Sequence, residues 1–394
     1  MTTGLIAYDF FAPPRIVFGW GRRAEIGPLA RSLGRRALLV WGSKQLQENG
    51  IGDEFRAALS AAGVEPVELA TIRHEPLVAD VDETTGRLGE LGSTGSEVVV
   101  AIGGGSAIDL AKAIAAMTTN RASSTVRDYL EGVGRGLQLA KPPLPILAVP
   151  TTAGTGSEAT KNAVISCYDP PFKKSLRSDL LVPRIVLVDP QLTVSLPRAT
   201  TIHTGLDAIT QLIESYISRK AKPVPQALAL SGLQLAVPAI ATAAEQGDNR
   251  TAREAMAHAA LLSGMALANS GLGLAHGVAA ALGVHCRVAH GLACAVMLPV
   301  ALRVNRALSE AAYGNMHAAI NPDSPLRGGA AADAFVIQME QLCRQLDVPE
   351  SLSQLGVKPA DVPALVKSSR GNSMDGNPRQ LSDAELSELL ESLV

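Results

Sequence analysis

The sequence predicts an α/β domain built on a parallel sheet, followed by an all-α domain. Two observations carry that assignment. Short apolar runs alternate with helical patterns as far as residue 190, and from about Thr200 the strand-like runs give way to Ala- and Leu-rich helical patterns. The runs are RALLVWG (36–42), GVEPVELA (63–70), EVVVAIGGGS (97–106), LPILAVPTT (144–152) and RIVLVDP (184–190), each β-branched and flanked by Gly or Pro. Unbroken apolar strands separated by helices belong to a sheet covered on both faces, which is the parallel arrangement. In the second half, AREAMAHAALLSGMALANS (252–270) has a helical rather than an alternating period. Pro197 interrupts the chain between the last strand and the first helix, so the division is expected at 1–198 and 199–394. No internal repeat or low-complexity tract is evident.

A chain of 394 residues is long enough for two separate cores. Its 47% hydrophobic content with only 3% aromatics and 36 glycines suits closely packed helices and buried strands. A formal net charge of -2 argues against nucleic acid as a partner. There is no run of 18 apolar residues, and the start, MTTGLIAYDFFAPP, lacks a basic region followed by an apolar core. Neither a membrane span nor a signal peptide is expected, and a cytoplasmic protein is. Cys167, Cys286, Cys294 and Cys343 show no CxxC pairing and read as free thiols.

The first chemistry-bearing stretch is VVVAIGGGSAIDLAK (98–112), where a strand ends in Gly103, Gly104 and Gly105 and a helix starts at once. Glycines let a ligand approach the backbone, and the first helical turn offers N–H groups and a positive dipole end to phosphate oxygens. Together with Ser106 they read as a pyrophosphate cradle. The other reading is a plain strand-to-helix turn, because GGGS is neither GxGxxG nor a P-loop. Asp109, one turn into that helix, is a capping or packing candidate. A second loop, PTTAGTGSEATKN (150–162), follows another strand; Thr151, Thr152 and Thr155 are suited to phosphate or to a nicotinamide amide, or form an ordinary polar loop.

The stretch NSGLGLAHGVAAALGVHCRVAHG (269–291) holds three of the seven histidines. His276 and His290 break an otherwise apolar surface, and two imidazoles on packed helices suggest a divalent metal such as iron or zinc. Asp207 and Gln211, four residues apart in a helical pattern, would project from one face and are candidate further ligands. The competing reading is that these are satisfied core histidines.

Six ordered motifs then carry a resemblance: GGGSAIDLAK (103–112), DYLEG (128–132), PTTAGTGSE (150–158), VDPQLTVSLP (188–197), TGLDAIT (204–210) and GLGLAHG with AHG (271–277 and 289–291). The chain resembles the iron-containing (group III) alcohol dehydrogenase family. That resemblance implies a dehydroquinate synthase-like architecture, with an N-terminal α/β dinucleotide-binding domain, an all-α C-terminal domain and a catalytic metal in a cleft between them, and at least a dimer. It places cofactor phosphates on Gly103, Gly104, Gly105 and Ser106, nicotinamide contacts on Thr151, Thr152 and Thr155, and the cofactor ribose near Lys173 or Lys174. It places the catalytic metal, Fe2+ or Zn2+, on Asp207, His276 and His290. Two positions depart from the family pattern. Gln211, a weak fourth ligand, stands where iron-binding members usually have histidine, and Ala280 stands where many relatives carry another. His285 is the nearest titratable group to Ala280 in sequence.

The expected reaction is reversible hydride transfer between NAD(P)(H) and a small alcohol, with aldehyde or ketone as the oxidised partner. In VWGSKQ (40–45), NAD-preferring relatives often place an acidic residue; here Gly42, Ser43 and Lys44 favour NADP over NAD. The alternatives are a metal-dependent lyase resembling dehydroquinate synthase, and a nucleotide-binding protein with a degenerate metal site.

Overall fold

The computed structural model describes residues 7–92 and 95–394, which fall into two units, one of Ala12–Ser195 and one of Leu196–Val394 together with residues 7–11. The first unit is a parallel sheet of β1 (Arg15–Phe18), β2 (Arg36–Trp41), β3 (Glu65–Thr71), β4 (Glu97–Gly103), β5 (Ile146–Pro150) and, after an intervening hairpin, β8 (Ile185–Val188). Its spatial order is β1-β8-β5-β4-β2-β3. Between the strands run α1 (Ile26–Arg31), α2 (Lys44–Glu48), α3 (Ile51–Ala61), α4 (Val78–Leu91) and α5 (Gly105–Thr119).

Alternate residues of each strand feed two cores. Leu39, Trp41, Val98 and Val100 pack with Phe55 and Leu59 of α3 on one face. Leu38, Val40, Val99 and Ala101 pack with Val81 of α4 and Ile108 and Ile114 of α5 on the other. This double cover is why the central strands read as unbroken apolar runs. The chain steps from β2 outward to β3, then back across to β4 on the other side of β2. The carboxyl ends of β2 and β4 therefore flank the switch point, where open α/β sheets bind ligands.

Two features lie outside the sequence expectations. The run RIVF forms an edge strand, β1, parallel to β8, so RALLVWG is the second strand and not the first. β6 (Asn162–Tyr168) and β7 (Pro171–Arg177) form a separate antiparallel hairpin beyond the 150–162 loop. β1 is only four residues long and β7 is rich in Lys, Arg and Ser, so neither carries the long apolar run that marks the central strands.

In the second unit, among the described residues, there is no strand. Its helices are α6 (Arg198–Ile217), α7 (Pro223–Glu245), α8 (Arg250–Asn269), α9 (Leu274–Cys286), α10 (His290–Asn305), α11 (Glu310–Ile320), α12 (Gly328–Gln345), α13 (Val362–Ser369) and α14 (Asp383–Glu391). Small residues set the packing distance. A Cβ at Gly232 of α7 would fall 2.6 Å from Leu212 of α6, and one at Gly291 of α10 would fall 2.6 Å from the His203 carbonyl of α6. α7 is long and apolar enough to cross a membrane by length and composition alone. It nevertheless buries Ala229, Leu233, Ala236 and Ile240 at helical spacing while Gln234 and Pro238 are exposed, the pattern of a helix with one face in a protein core. The N-terminal residues join this unit through Asn269, whose side chain accepts from the Phe11 N–H at 2.6 Å and donates to the Phe11 carbonyl at 2.7 Å.

Candidate metal and nucleotide sites

At the sheet's switch point the backbone does what side chains do elsewhere. Gly42 N–H donates to the Ile102 carbonyl at 2.8 Å, and a Cβ on Gly103 would lie 2.7 Å from Gly42 Cα and 2.7 Å from Ala107 Cβ. No side chain fits between β2 and β4 there. The 150–162 loop presses against the same turn: Thr151 N–H donates to the Gly103 carbonyl at 3.0 Å, and a Cβ on Gly105 would meet Thr155 Oγ1 at 2.6 Å. Gly42, Ser43, Gly104, Gly105, Ser106, Thr152 and Thr155 stay partly exposed while Ala107–Met117 is buried. The start of α5 is thus the accessible end of an otherwise enclosed helix: the Ala107 and Ile108 N–H groups donate to the Gly104 carbonyl at 3.1 and 3.2 Å, which leaves the Gly105 and Ser106 N–H groups with no helical carbonyl behind them to bond.

The other residues named from sequence have more structural duties. Asp109 is buried, and its Oδ2 accepts from the Val164 N–H at 3.1 Å, which fastens α5 to β6. Burial pushes its pKa up to about 6 against the opposing pull of Lys112. Ser43 Oγ accepts from Leu46 N–H and caps α2. Lys173 pairs with Glu75 at 2.7 Å. Lys174 is its neighbour on β7, so the two side chains leave opposite faces of the hairpin.

Sequence reasoning passed over Lys112, which is completely buried. Its ammonium donates toward the carbonyls of Ser157 (2.5 Å), Thr160 (2.8 Å) and Asn162 (2.9 Å) and lies 2.9 Å from Thr160 Oγ1. One α5 side chain therefore holds the end of the 150–162 loop in place. Glu158, also buried, is pushed up to about 7 by desolvation.

In the helical unit, one face of α6 gathers the polar residues. Asp207, Gln211 and Glu214 follow one another at four and three residues and are all buried. His276, in the first turn of α9, lies between two of them: its Nδ1 is 2.7 Å from Glu214 Oε2 and its Nε2 is 3.1 Å from Asp207 Oδ1. Glu214 Oε1 also accepts from the Ala275 N–H at 2.7 Å, and Asn377 Oδ1 accepts from Leu274 N–H at 3.0 Å. These satisfy the start of α9 and explain Gly273, whose Cβ would fall 2.9 Å from Glu214. His290, the first residue of α10, sets its ring 5.6 Å from that of His276. One turn later Cys294 brings its sulfur to 3.8 Å from His290 Nε2.

Asp207, His276, His290 and Cys294 each offer one ligand atom, and all four atoms lie within 4.8 Å of one another; only His290 is partly exposed. A carboxylate oxygen, two imidazole nitrogens and a sulfur are the donors a four-coordinate divalent ion takes. Metal–ligand bonds of about 2.0–2.3 Å require little inward movement from such spacing, so the residues fit an ion. Their electrostatics agree. Burial pushes the Asp207 carboxyl up, yet the His276 hydrogen bond and His290 outweigh it and its pKa is lowered. Burial opposes charge on His276, yet Cys294, Asp207 and Glu214 raise its pKa well above the ordinary value. The cluster is built for positive charge.

Gln211 shares this face, but its amide nitrogen donates to Ser263 Oγ of α8 at 2.9 Å. Ser263 spends its own hydrogen on the Ala260 carbonyl at 2.8 Å, so it can only accept, which fixes the direction of the amide. His285 is bonded to Ser368 of α13 at 2.7 Å. Glu214 and Cys294 were missed from sequence although each had a signal, two turns beyond Asp207 and one turn beyond His290.

A glycine-rich strand-to-helix turn in one unit and a buried carboxylate–histidine donor set in the other fit a metal-assisted, dinucleotide-dependent oxidoreductase. The family model described as iron-containing alcohol dehydrogenase matches residues 13–190, and the model for the C-terminal part of the Fe-containing alcohol dehydrogenase family matches residues 201–394. The chain is 32% identical over 365 residues to alcohol dehydrogenase 4 of Saccharomyces cerevisiae, covering 91% of each chain. It is 29% identical over 386 residues to the NAD-dependent methanol dehydrogenase of Bacillus methanolicus, covering 98% of this chain and 99% of that one. A solved structure of 1,3-propanediol oxidoreductase superposes with a TM-score of 0.90 at 29% identity, over 99% of this chain and 100% of that one. The chain belongs to the iron-containing alcohol dehydrogenase family and is an alcohol oxidoreductase. The lyase reading has no support among these relatives.

Proposed function

We propose that the protein interconverts a small alcohol and its aldehyde or ketone using NADP(H) in preference to NAD(H), with a divalent ion held by Asp207, His276 and His290. The observation that carries the reading is the convergence of these donors within 4.8 Å in a buried setting. When bound, the ion supplies Lewis acidity at the substrate oxygen and the nicotinamide exchanges hydride with the carbon. The chain's own work is positioning. Gly103, Gly104, Gly105 and Ser106 present the start of α5 to the cofactor phosphates, with Thr151, Thr152 and Thr155 lining the adjoining loop. Glu214 accepts the His276 Nδ1 proton and so leaves Nε2 as the donor nitrogen.

The NADP(H) preference rests on the end of β2. Gly42 can carry no side chain, since its Cβ would lie 2.9 Å from Gly103 Cα, and Ser43 and Lys44 follow in place of a carboxylate. A charge-assisted hydrogen bond contributes about 1.5–3 kcal/mol, so kcat/KM for NADPH should exceed that for NADH by about 10–100-fold. Ser43→Asp, which keeps a capping side chain for α2, should reverse the order. A wild-type preference for NADH would overturn this part.

Glu214→Gln tests the positioning of His276. The amide retains an oxygen for Ala275 N–H but can turn its NH2 to Nδ1, which places the imidazole proton on Nε2, the wrong nitrogen for a ligand. Metal affinity should fall by about 10–100-fold with little change in unfolding midpoint. Equilibrium dialysis showing wild-type affinity would remove Glu214 from this role.

A further inference from the structure

We propose that the fourth protein ligand of the ion is the Cys294 thiolate, not Gln211, and that the sulfur makes this site select zinc over ferrous iron. The inference rests on the metal site proposed above and adds the donor that decides which ion it holds.

A buried cysteine ordinarily serves as a small hydrophobe. Cys294 has the burial, at 0% exposure, but its surroundings are polar. Its sulfur is 3.8 Å from His290 Nε2, it interacts with the side chains of Asp207 and His276, and it belongs to the set of four ligand atoms within 4.8 Å. Spacing explains the placement. Cys294 follows His290 by four residues on α10, so both side chains leave the same face, as Asp207 and Gln211 do on α6. The chain thus brings two candidate fourth donors to one place. Gln211 offers a neutral amide whose nitrogen is tethered to Ser263 on α8; Cys294 offers an atom that becomes anionic on coordination, because a metal-bound thiol gives up its proton.

Charge and softness then act together. Asp207 and a Cys294 thiolate carry two negative charges, matching a divalent ion, with two neutral imidazoles completing four ligands. Thiolate favours zinc, and zinc exceeds ferrous iron in affinity at a common site even before softness is counted.

The test uses the full chain, stripped of metal with a chelator under anaerobic, reducing conditions and titrated with Co2+, then with Zn2+ and Fe2+ in competition. Wild-type protein should develop a near-ultraviolet thiolate-to-cobalt charge-transfer band together with the visible bands of a four-coordinate cobalt ion. Cys294→Ser, nearly isosteric, should lose the charge-transfer band and bind Zn2+ more than about 100-fold more weakly, beyond the range for residues that only orient a ligand. Its preference for Zn2+ over Fe2+ should narrow by at least about tenfold, since the thiolate is the soft donor. Gln211→Ala should keep the band. Cys294→Ala, checked for native circular dichroism, serves if the serine variant does not fold.

Cobalt bound by wild type without the charge-transfer band would overturn the thiolate ligand while leaving Asp207, His276 and His290 as a site. So would a band that persists in Cys294→Ser, since it would come from another thiol. Failure of wild type to bind Co2+ or Zn2+ at all would bring down the metal site and the proposal with it.

Discussion

His276→Ala should leave the purified protein without bound metal and lower kcat/KM by about 10³-fold or more. The size follows from what is lost. Lewis-acid stabilisation of a developing alkoxide contributes several kcal/mol, and about 4 kcal/mol is close to a thousandfold in rate. The loss is larger than one ligand's share because His276 lies between Asp207 and Glu214. Without the imidazole, the buried Asp207 carboxyl loses the hydrogen bond that helps hold its pKa down, and burial drives it toward its protonated, non-ligating form. Elemental analysis of the fresh variant beside wild type, with kcat/KM measured before and after chelation of each, checks both parts. Chelation should bring the wild type down to the variant's level and leave the variant unchanged. A variant that keeps wild-type turnover, or a wild type that retains full activity after exhaustive chelation, would show that the substrate oxygen is polarised by hydrogen bonds and not by an ion.

What was legible beforehand follows from how locally each feature is encoded. The central strands announced themselves because both faces are covered, so Val98 to Ile102 had to be apolar without interruption. β1 escaped because an edge strand of four residues leaves no such run, and β6–β7 escaped because a hairpin apart from the main sheet carries Lys173, Lys174 and Arg177. The attachment of residues 7–11 to the helical unit was invisible, resting on a hydrogen-bond pair between Phe11 and Asn269, 258 positions apart. In the candidate metal site, Asp207, His276 and His290 stood out as polar groups in apolar helices. Cys294 did not, because cysteine passes for a core residue until its neighbours in space are known. Glu214 was hidden for a related reason: its seven-residue spacing from Asp207 is readable, but its function depends on α9 starting beside it.

Lys112→Met should destabilise the α/β unit by about 3–5 kcal/mol, the usual cost of breaking a buried ionic network by removing one member. Methionine fills most of the aliphatic volume, so the loss is chiefly polar. The carbonyls of Ser157, Thr160 and Asn162 lose a shared donor, and each is buried where water cannot replace it. Asp109 and Glu158 lose the ammonium whose attraction opposes the burial of both. The sign of the pH dependence follows from those two groups. Both carboxyls are raised, to about 6 and about 7, so they hold protons more tightly in the folded chain than in the unfolded one. Their contribution is fullest below the ordinary carboxyl range and is lost as pH rises through 6 to 7. Removing Lys112 raises both further, so the gap between variant and wild type should widen from pH 5 to pH 8, on the order of the range these shifts span. Urea unfolding followed by circular dichroism at the two pH values measures it. Because the same lysine holds the 157–162 loop against α5, NADPH affinity should fall in the folded variant as well. A destabilisation below about 1 kcal/mol, within the range of an ordinary hydrogen bond, would mean that the loop is held by its own backbone turns and not by the buried ammonium.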